Sequence, residues 1–328
     1  KKAKRKEVPD FSEINGQQFV KRACEIAVSG RHNLLMIGPP GAGKTMIARR
    51  IPGILPKMTE EEALEVTKIY SVRGLLTESE AWMAERPFRN PHHTITPQGL
   101  AGGGMVPGPG EISLAHHGVL FLDELAEFRR ETLEILRQPM EEHCVKLARL
   151  AGNYEFPSDF MLVAAMNPCR CGYYPDLNRC HCTKGMVEQY LKKISQPLLD
   201  RIDICVETKR VEYQDLMKEN PHQETSAEIR KRVVAAMERQ QQRFAGTNIR
   251  YNSRIPAALL TKYCRLSTKQ KQYMESIYQK LELTARSYHR ILRVARTIAD
   301  MDGSDEILTR HLSEAVCYRN VDKKFWEG

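Results

Sequence analysis

The chain of 328 residues carries 50 Lys and Arg against 41 Asp and Glu, a formal net charge of +9, with 41% hydrophobic and 28% charged residues. This length is enough for about two domains, and the composition excludes a small disulfide-stapled scaffold and a mainly disordered chain. No window approaches 18 consecutive apolar residues, which excludes a membrane-spanning helix, while the moderate basic excess is compatible with a polyanionic partner.

The first part of the chain is predicted to alternate helices and strands around a glycine-rich turn. Apolar residues recur at helical spacing over 17–29, and the apolar run over 33–38 is typical of a buried strand. Segment 87–112 is too rich in proline and glycine for one regular element. The predicted elements are, in chain order, a solvated arm over 1–10, a helix over 17–29, a strand over 33–38, a helix from Thr45, a Glu-rich helix near 60–72 and a long irregular insert over 87–112.

The middle of the chain continues the α/β pattern, and the last third is predicted to be helical. Apolar runs that end in polar residues predict further strands, and two extended pieces flanking Ala151-Gly152-Asn153 predict a hairpin. The predicted elements are strands over 117–123, 160–166 and 202–206, a helix around 129–141, a hairpin over 144–156, and helices over 225–245, 256–264, 268–282, 284–301 and 309–321.

Residues 38–45 fit the phosphate-loop pattern G-x-x-x-x-G-K-[ST] and stand between a predicted strand and a predicted helix. Glycines let backbone N–H groups turn toward phosphate oxygens, Lys44 reaches the β- and γ-phosphates of ATP, and Thr45 is a Mg²⁺ ligand. A glycine-rich turn with an exposed lysine is the alternative. The predicted nucleotide-binding residues are Gly38, Pro39, Pro40, Gly41, Ala42, Gly43, Lys44, Thr45, Met46 and Asp123.

Polar residues follow two of the predicted strands. After strand 119–122, Asp123 is expected to hold Mg²⁺ with Thr45, and Glu124 to orient and deprotonate the attacking water. The alternative for this acidic pair is a solvated helix start. Asn167 ends the next strand, where its amide is expected to hydrogen-bond the γ-phosphate or the water, unless it merely turns the chain before Pro168.

Arginines supply the remaining candidates for phosphate chemistry. Arg201 lies between carboxylates just before a predicted strand, and a guanidinium supplied as a finger, often by a neighbouring subunit, stabilises charge on a transferring phosphoryl group. A local Arg–Asp ion pair is the alternative. In the helical part, arginines recur along one helical face, and one of them is a candidate to close over the phosphates, although such a face is usually solvated. These arginines are Arg286, Arg290, Arg293 and Arg296.

Four cysteines, Cys169, Cys171, Cys180 and Cys182, form the pattern C-x-C-x8-C-x-C. Four thiolates from two short knuckles suit a tetrahedral structural Zn²⁺ site, with Gly172 permitting the tight turn. Free or redox-active thiols and an iron–sulfur cluster are alternatives, and His181 is an alternative ligand. Nine cysteines without a signal peptide predict a reducing compartment and a cytoplasmic location. The remaining cysteines, Cys24, Cys144, Cys205, Cys264 and Cys317, are expected to be buried free thiols.

Two pairs of adjacent histidines, His92-His93 and His116-His117, invite a second metal assignment. Adjacent side chains on an extended segment point to opposite sides, so we expect neither pair to share a metal and both to be structural or interface residues. On the predicted hairpin, Lys146, Arg149 and Asn153 suit contact with phosphates, as they suit any exposed hairpin.

This set of motifs resembles an AAA+ ATPase, and more narrowly the magnesium-chelatase-like ComM/YifB family, over nearly the whole chain. The narrower resemblance rests on Phe88-Arg-Asn-Pro-His-His-Thr94, Gly102-Gly-Gly104, Pro107-Gly-Pro-Gly-Glu-Ile-Ser-Leu-Ala-His116 and Leu198-Leu-Asp-Arg-Ile-Asp203. It implies an α/β fold with a P-loop AAA+ three-layer αβα core over 1–210 and a linker helix with a helical lid subdomain over 211–328. Within the core it implies a helix-2 insert at about 87–112, a pre-sensor-1 hairpin at 144–156 and a zinc-knuckle loop at 169–182.

The resemblance also implies roles for single residues. It places Walker A at 38–45, Walker B at 119–124, sensor 1 at Asn167, an arginine finger at Arg201 and sensor 2 at Arg286, with Arg290 as the alternative. It implies a homo-hexamer whose insert and hairpin contact DNA in a central channel. An N-terminal Lon-like domain is usual in the family, and we expect it to be absent from this chain, whose abrupt basic start suggests a fragment of a longer protein.

The motifs and the resemblance predict an ATP-hydrolysing ring motor acting on single-stranded or branched DNA. Its expected role is that of a helicase or branch-migration factor in recombination or natural transformation, with recombination proteins as further partners. An AAA+ motor that remodels a protein partner, as chelatase- or Lon-like machines do, is the alternative. A zinc scaffold that binds DNA without turnover is a third hypothesis, against which Glu124 argues.

Overall fold

The computed structural model describes residues 8–77, 81–149, 152–210 and 223–326. The strands of this part are β1 (Leu34–Ile37), β2 (Phe88–Arg89), β3 (Gly102–Gly103), β4 (Gly108–Pro109), β5 (Val119–Leu122), β6 (Cys144–Arg149), β7 (Gly152–Pro157), β8 (Met161–Met166) and β9 (Ile204–Glu207). Five of them form a parallel sheet in the order β2-β5-β8-β1-β9, and β3-β4 and β6-β7 form two antiparallel hairpins. The carboxyl ends of the five parallel strands therefore meet at one edge of the sheet, which is where ligands bind in such folds.

Both faces of the parallel sheet are covered, as buried parallel strands require. In β1, Leu34 and Met36 join a buried cluster with helix Gln18–Gly30, whereas Leu35 and Ile37 join a second cluster on the opposite face. The second cluster includes apolar side chains of helix Lys184–Leu191. The predicted α/β class with a three-layer core is confirmed.

The helices of the α/β part include those predicted over 17–29, from Thr45, near 60–72 and around 129–141, together with others, among them Lys184–Leu191, that were not predicted. They span Gln18–Gly30, Lys44–Ala48, Ile51–Ile54, Glu60–Val72, Pro97–Ala101, Glu111–Leu114, Arg130–Glu134, Arg137–Glu142, Lys184–Leu191 and Gln196–Leu199. The single helix expected around 129–141 is divided in two. Pro139 has no N–H to donate to the carbonyl of Ile135, so the first helix ends and a second begins with proline in its first turn.

Segment 87–112 contains more order than its composition indicates. Phe88–Arg89 pairs with Val119–Leu120 and adds an edge strand that the sequence analysis missed, because two residues carry no periodicity. Further on, β3 and β4 form a small hairpin in which a Cβ on Gly102 would lie 2.4 Å from the carbonyl oxygen of Gly108. The strands therefore require glycine there, and the hairpin presents Met105 at its exposed tip.

The hairpin predicted over 144–156 is present as β6 and β7, in a register that pairs Cys144 with Pro157 and Arg149 with Gly152. Ala151 of its predicted turn, like residues 1–7 of the predicted arm, lies outside the described residues.

The helices of the last third span Ser226–Arg243, Leu260–Tyr263, Thr268–Lys280, Ala285–Met301 and Thr309–Trp326. They pack on the core, since Val233 and Ala295 share a buried cluster with Ile26 of the first long helix. The boundary predicted at 210/211 adjoins residues 211–222, which lie outside the described part, and stays a prediction. Among the described helices, none combines the length and apolarity needed to cross a bilayer.

Candidate active site

The phosphate loop connects β1 to helix Lys44–Ala48 and depends on glycine at several positions. Gly41 and Gly43 have φ values of +77° and +80°, in the left-handed region that favours glycine. A Cβ on Gly38 would lie 2.1 Å from Oγ1 of Thr208, so the start of the loop also requires glycine. The loop thus has the backbone shape that a phosphate cradle needs.

Lys44 bridges the loop to the neighbouring strand. Its Nζ donates to the carbonyl oxygens of Gly38 at 2.6 Å and Pro39 at 2.9 Å, and to Oδ1 of Asn167 at 3.1 Å. Burial lowers the pKa of Lys44 to about 8, against the opposing effect of the Asp123 and Glu124 carboxylates. The amine that would meet a phosphate and the amide that would sense it are therefore in direct contact.

The predicted magnesium ligands also meet. Oγ1 of Thr45 donates to Oδ2 of Asp123 at 2.6 Å, so a hydroxyl and a carboxylate oxygen stand side by side at the carboxyl edge of the sheet. Such hard oxygen donors suit Mg²⁺, which usually takes one or two protein ligands besides phosphate oxygens. Glu124 follows in a left-handed conformation, at φ +52°, and its carboxylate is largely exposed. Met46 is partly exposed beside the loop.

One residue near Glu124 was not predicted as part of the site. Nδ1 of His93 lies 3.4 Å from Oε2 of Glu124, and the His93 ring lies against that of His92, tilted by 34° with ring centroids 4.1 Å apart. Both histidines were predicted to have only a structural or interface role, with side chains on opposite sides of the segment, whereas their rings lie together. His92 and His93 are far from Glu124 in the sequence, so no local sequence pattern connected them with it. In the structure, β2 runs beside β5 and brings both histidines to the same edge of the sheet as Glu124.

Arg201 and Arg286 lie elsewhere. Arg201 precedes β9, and the side-chain amide of Asn33, which precedes β1, donates to the Arg201 carbonyl oxygen at 2.9 Å. Both positions are at the amino edge of the sheet, and the strand between them and the phosphate loop spans roughly 13 Å for four residues. Asn33, Arg201 and Arg286 line a cleft of about 690 Å³, and no residue of the phosphate loop lines it.

The arginines of this cleft differ in what they contact. The Arg201 guanidinium pairs with Glu141 rather than with the neighbouring aspartates, and its Nε donates to the carbonyl oxygen of Arg137 at 3.2 Å. Arg290 is buried and donates to the carbonyl oxygens of Leu199 and Ile202, both at 2.9 Å. Arg286, in contrast, is exposed, and its Nη1 lies 3.4 Å from Oδ2 of Asp200. Because Arg290 is buried in a structural role, Arg286 is the better candidate for a mobile phosphate ligand.

The four cysteines predicted to bind metal converge. Sγ of Cys169 lies 3.3 Å from that of Cys171 and 3.7 Å from that of Cys180, and Cys182 completes a group whose sulfurs all lie within 4.8 Å. Tetrahedral Zn²⁺ with bonds of about 2.3 Å requires sulfurs roughly 3.8 Å apart. Backbone N–H groups of Gly172 and Tyr174 also point at Sγ of Cys169, as hydrogen-bond donors to a metal-bound thiolate do. The donor set fits zinc.

The prediction that the side chains of His116 and His117 point to opposite sides was wrong. His117 has φ +55° and not an extended backbone, so both rings turn to the same side, and Nε2 of each lies within 3 Å of Oε2 of Glu65. The group resembles a metal site. However, Nδ1 of His116 accepts from the backbone N–H of Asp159 at 2.9 Å, so the neutral ring carries its proton on Nε2, the atom a metal would need. These contacts favour a hydrogen-bonded structural network.

Other sequence predictions have mixed outcomes. Lys146 and Asn153 are exposed on the β6–β7 hairpin, with Lys146 paired to Glu142 at 2.8 Å, while the side chain of Arg149 lies outside the described residues.

Cys24, Cys144, Cys205 and Cys264 are buried as expected. Cys317 is exposed, because helix Thr309–Trp326 carries it on an outer face, so that prediction was wrong.

Two family models and several known relatives match this chain. The family model described as magnesium chelatase, subunit ChlI, matches residues 10–216, and the model of the C-terminal part of that subunit matches residues 223–319. YifB of Escherichia coli (strain K12) is 45% identical over 314 residues, 96% of this chain and 61% of YifB. Competence protein ComM of Haemophilus influenzae is 43% identical over 310 residues, 94% of this chain and 60% of ComM. The chain thus spans about three fifths of the length of these relatives.

Proposed function

The chain belongs to the ComM/YifB group of the magnesium chelatase ChlI family of AAA+ proteins, and from this premise we propose that it is an ATP-hydrolysing ring motor that acts on DNA. The observation that carries the proposal is the division of the site between two edges of the sheet. The groups for nucleotide and water stand at the carboxyl edge, and Arg201 and Arg286 stand at the amino edge. Because neither arginine reaches the phosphate loop of its own chain, both serve a neighbour, and a closed ring of identical subunits, a homo-hexamer, completes every site.

Each residue has a defined task in hydrolysis. The loop from Gly38 to Thr45 cradles ATP, and Lys44 neutralises the β- and γ-phosphates. Thr45 and Asp123 would hold Mg²⁺, which supplies further charge neutralisation on those oxygens. Glu124 accepts the proton of the attacking water while Asn167 orients it. Arg201 and Arg286 of the adjacent subunit stabilise charge on the transferred phosphoryl group.

DNA as the substrate rests on three observations. One relative is named a competence protein, the chain carries a net charge of +9, and the β6–β7 hairpin exposes Lys146 and Asn153. A basic balance favours polyanion binding, because Lys and Arg release counterions from the phosphates they contact. We assign single-stranded or branched DNA as the substrate, branch migration or unwinding during recombination or natural transformation as the reaction, recombination proteins as further partners, and the cytoplasm as the location.

A structural Zn²⁺ on Cys169, Cys171, Cys180 and Cys182 is part of the proposal. The sulfur separations support it, as does the shape of segment 169–182, in which the structure describes neither helix nor strand. Such a segment has little core of its own, and a metal cross-link supplies the missing stability.

Steady-state ATP hydrolysis tests the function when it is measured without DNA and with single strands, duplex or a four-way junction, at two salt concentrations. We expect stimulation that is largest on the junction and falls as salt rises. The Glu124→Gln variant is the blank and should bind ATP without turnover. Hydrolysis that ignores every DNA would overturn the DNA assignment in favour of a motor that remodels proteins.

A further inference from the structure

The cysteine segment touches the phosphate loop directly. Gly172, which follows Cys171, has φ +88°, and a Cβ on it would lie 2.5 Å from Cδ and 3.1 Å from Cγ of Pro40. The backbone of the cysteine turn is thus packed against the middle of the phosphate loop with no room for a side chain. The same glycine donates its N–H to Sγ of Cys169 at 3.2 Å.

Two hydrogen bonds join the same pair of segments just upstream. The backbone N–H of Gly38 donates to the carbonyl oxygen of Met166 at 3.2 Å, and Nζ of Lys44 donates to Oδ1 of Asn167 at 3.1 Å. Asn167 is separated from Cys169 by Pro168 alone. The phosphate loop is therefore supported at three points by a stretch of seven residues, 166–172, that ends inside the cysteine group.

Support at Pro40 depends on how firmly the cysteine turn is held. The far end of the segment is solvent-facing, with Leu177 83% exposed. The near end rests on Cys169, which is fully buried, and on Tyr174, whose ring lies 6.3 Å from that of Phe325. A metal bound to the four sulfurs fixes the turn on both sides of Gly172, whereas four separate thiols leave its position to these few contacts.

We propose that this segment is a metal-dependent buttress of the nucleotide site: loading the four cysteines with zinc sets the affinity of the phosphate loop for ATP. The inference rests on the proposed nucleotide and zinc sites and adds a regulatory link between them. Binding equilibria at two coupled sites are reciprocal, so nucleotide must also tighten zinc. Coupling of this kind changes affinity by about 5- to 150-fold.

Glycine variants test the contact between Gly172 and Pro40 separately from zinc binding. Gly172→Ala keeps all four cysteines but drives a methyl group into Pro40, and we expect about one equivalent of zinc with ATP affinity reduced at least 5-fold. Gly185→Ala is the matched control, because no atom lies within 4 Å of its Cβ, and should bind ATP like the unmodified chain. Cys182→Ser should lose both zinc and ATP affinity. Zinc is measured by elemental analysis, and affinity by equilibrium titration with a fluorescent ATP analogue and Mg²⁺.

The unmodified protein provides a second measurement that requires no variant to fold. Zinc affinity, measured by competition with a chromophoric chelator, should rise when ATP and Mg²⁺ are present, by the same factor by which zinc raises ATP affinity. The double variant Pro40→Ala/Gly172→Ala should bind ATP better than Gly172→Ala alone, because the collision is removed.

These measurements distinguish a failure of the coupling between zinc and ATP from a failure of the proposed ATPase function. ATP affinity in Gly172→Ala equal to that in Gly185→Ala, or zinc affinity indifferent to ATP, overturns the buttress while the ATPase stands. An unmodified chain that binds no ATP overturns both.

Discussion

Asn33 ties Arg201 to the edge of the sheet opposite the phosphate loop, through a hydrogen bond of 2.9 Å from its side-chain amide to the Arg201 carbonyl oxygen. The Asn33 side chain also accepts from the backbone N–H of Leu162 at 2.9 Å, so one residue fixes the amino ends of three adjacent strands. The backbone of Arg201 is therefore fixed to the amino edge of the sheet. This placement is the reason that we propose Arg201 for the nucleotide site of a neighbouring subunit.

Removal of either arginine should slow hydrolysis and leave nucleotide binding intact. For Arg201→Ala we expect a loss in kcat on the order of 10³-fold, the range measured for arginine fingers, with ATP affinity changed by less than a few-fold. Arg286→Ala should show the same split with a smaller loss. Arg129→Ala is the control, because the Arg129 side chain is 76% exposed and its ion pair within the described part of the chain is with Glu131, at 3.9 Å. Equal losses in kcat and in ATP affinity would contradict a role confined to the transferring phosphoryl group.

His93 should act as a positioning residue for Glu124. Because its Nδ1 lies 3.4 Å from the carboxylate, His93→Ala should lower kcat about 10-fold at unchanged ATP affinity, and His93→Gln, which can still donate, should recover part of the loss. Steady-state kinetics provides the check: the kcat of His93→Gln should lie between those of His93→Ala and the unmodified protein, with the same ATP affinity in all three. A kcat in His93→Gln as low as in His93→Ala, or a matching loss of ATP affinity, would contradict a positioning role.

The buried histidine pair should make the fold sensitive to acid. Burial, with a smaller contribution from the neighbouring His117, lowers the pKa of His116 from 6.5 to about 4. Between these values the unfolded chain binds a proton that the folded chain does not, so stability is lost as pH falls from 6.5 toward 4, by on the order of 3 kcal/mol.

Melting temperatures at pH 7 and pH 5 measure this effect. His116→Asn should melt lower at pH 7 and lose less on acidification than the unmodified chain. His92→Asn, at an exposed position, should retain the full pH dependence. An unchanged difference between pH 7 and pH 5 in His116→Asn would contradict the assignment.

Lys146 should contribute to DNA binding through phosphate contact. Lys146→Ala should weaken binding of single strands several-fold and reduce the slope of log affinity against log salt by about 1. Lys192→Ala is a matched control, since Lys192 forms the same i,i+4 pair with a glutamate on a helix away from the hairpin. Binding isotherms at four salt concentrations decide the point, and equal behaviour of the two variants would remove the hairpin from the DNA interface.

The contiguous motifs were predictable from the sequence because each combines its chemistry with its local fold. The phosphate loop stands between β1 and a helix, and Asp123 and Asn167 end adjacent parallel strands, so their meeting with Lys44 and Thr45 follows from the sheet. The four cysteines likewise converge within one short segment.

What the sequence did not reveal depends on long-range packing or on single backbone angles. His93 lies near Glu124 because β2 pairs with β5, and β2 has only two residues, too few to show periodicity in the sequence. One left-handed residue, His117, turned two rings that an extended backbone would have separated. The choice between Arg286 and Arg290 depends on which side chain the core buries, since helical spacing places both on one face.

Subunit mixing tests the central claim most directly. Glu124→Gln and Arg201→Ala proteins, each inactive alone, are mixed in equal amounts on a four-way junction, and ATP hydrolysis is measured after subunit exchange. If each site takes its arginine from a neighbour, an intact Glu124 meets an intact Arg201 at about a quarter of the interfaces, and hydrolysis should return to roughly that fraction of the rate of the unmodified protein. A mixture as inactive as its two components would contradict a DNA motor whose sites are completed around a ring.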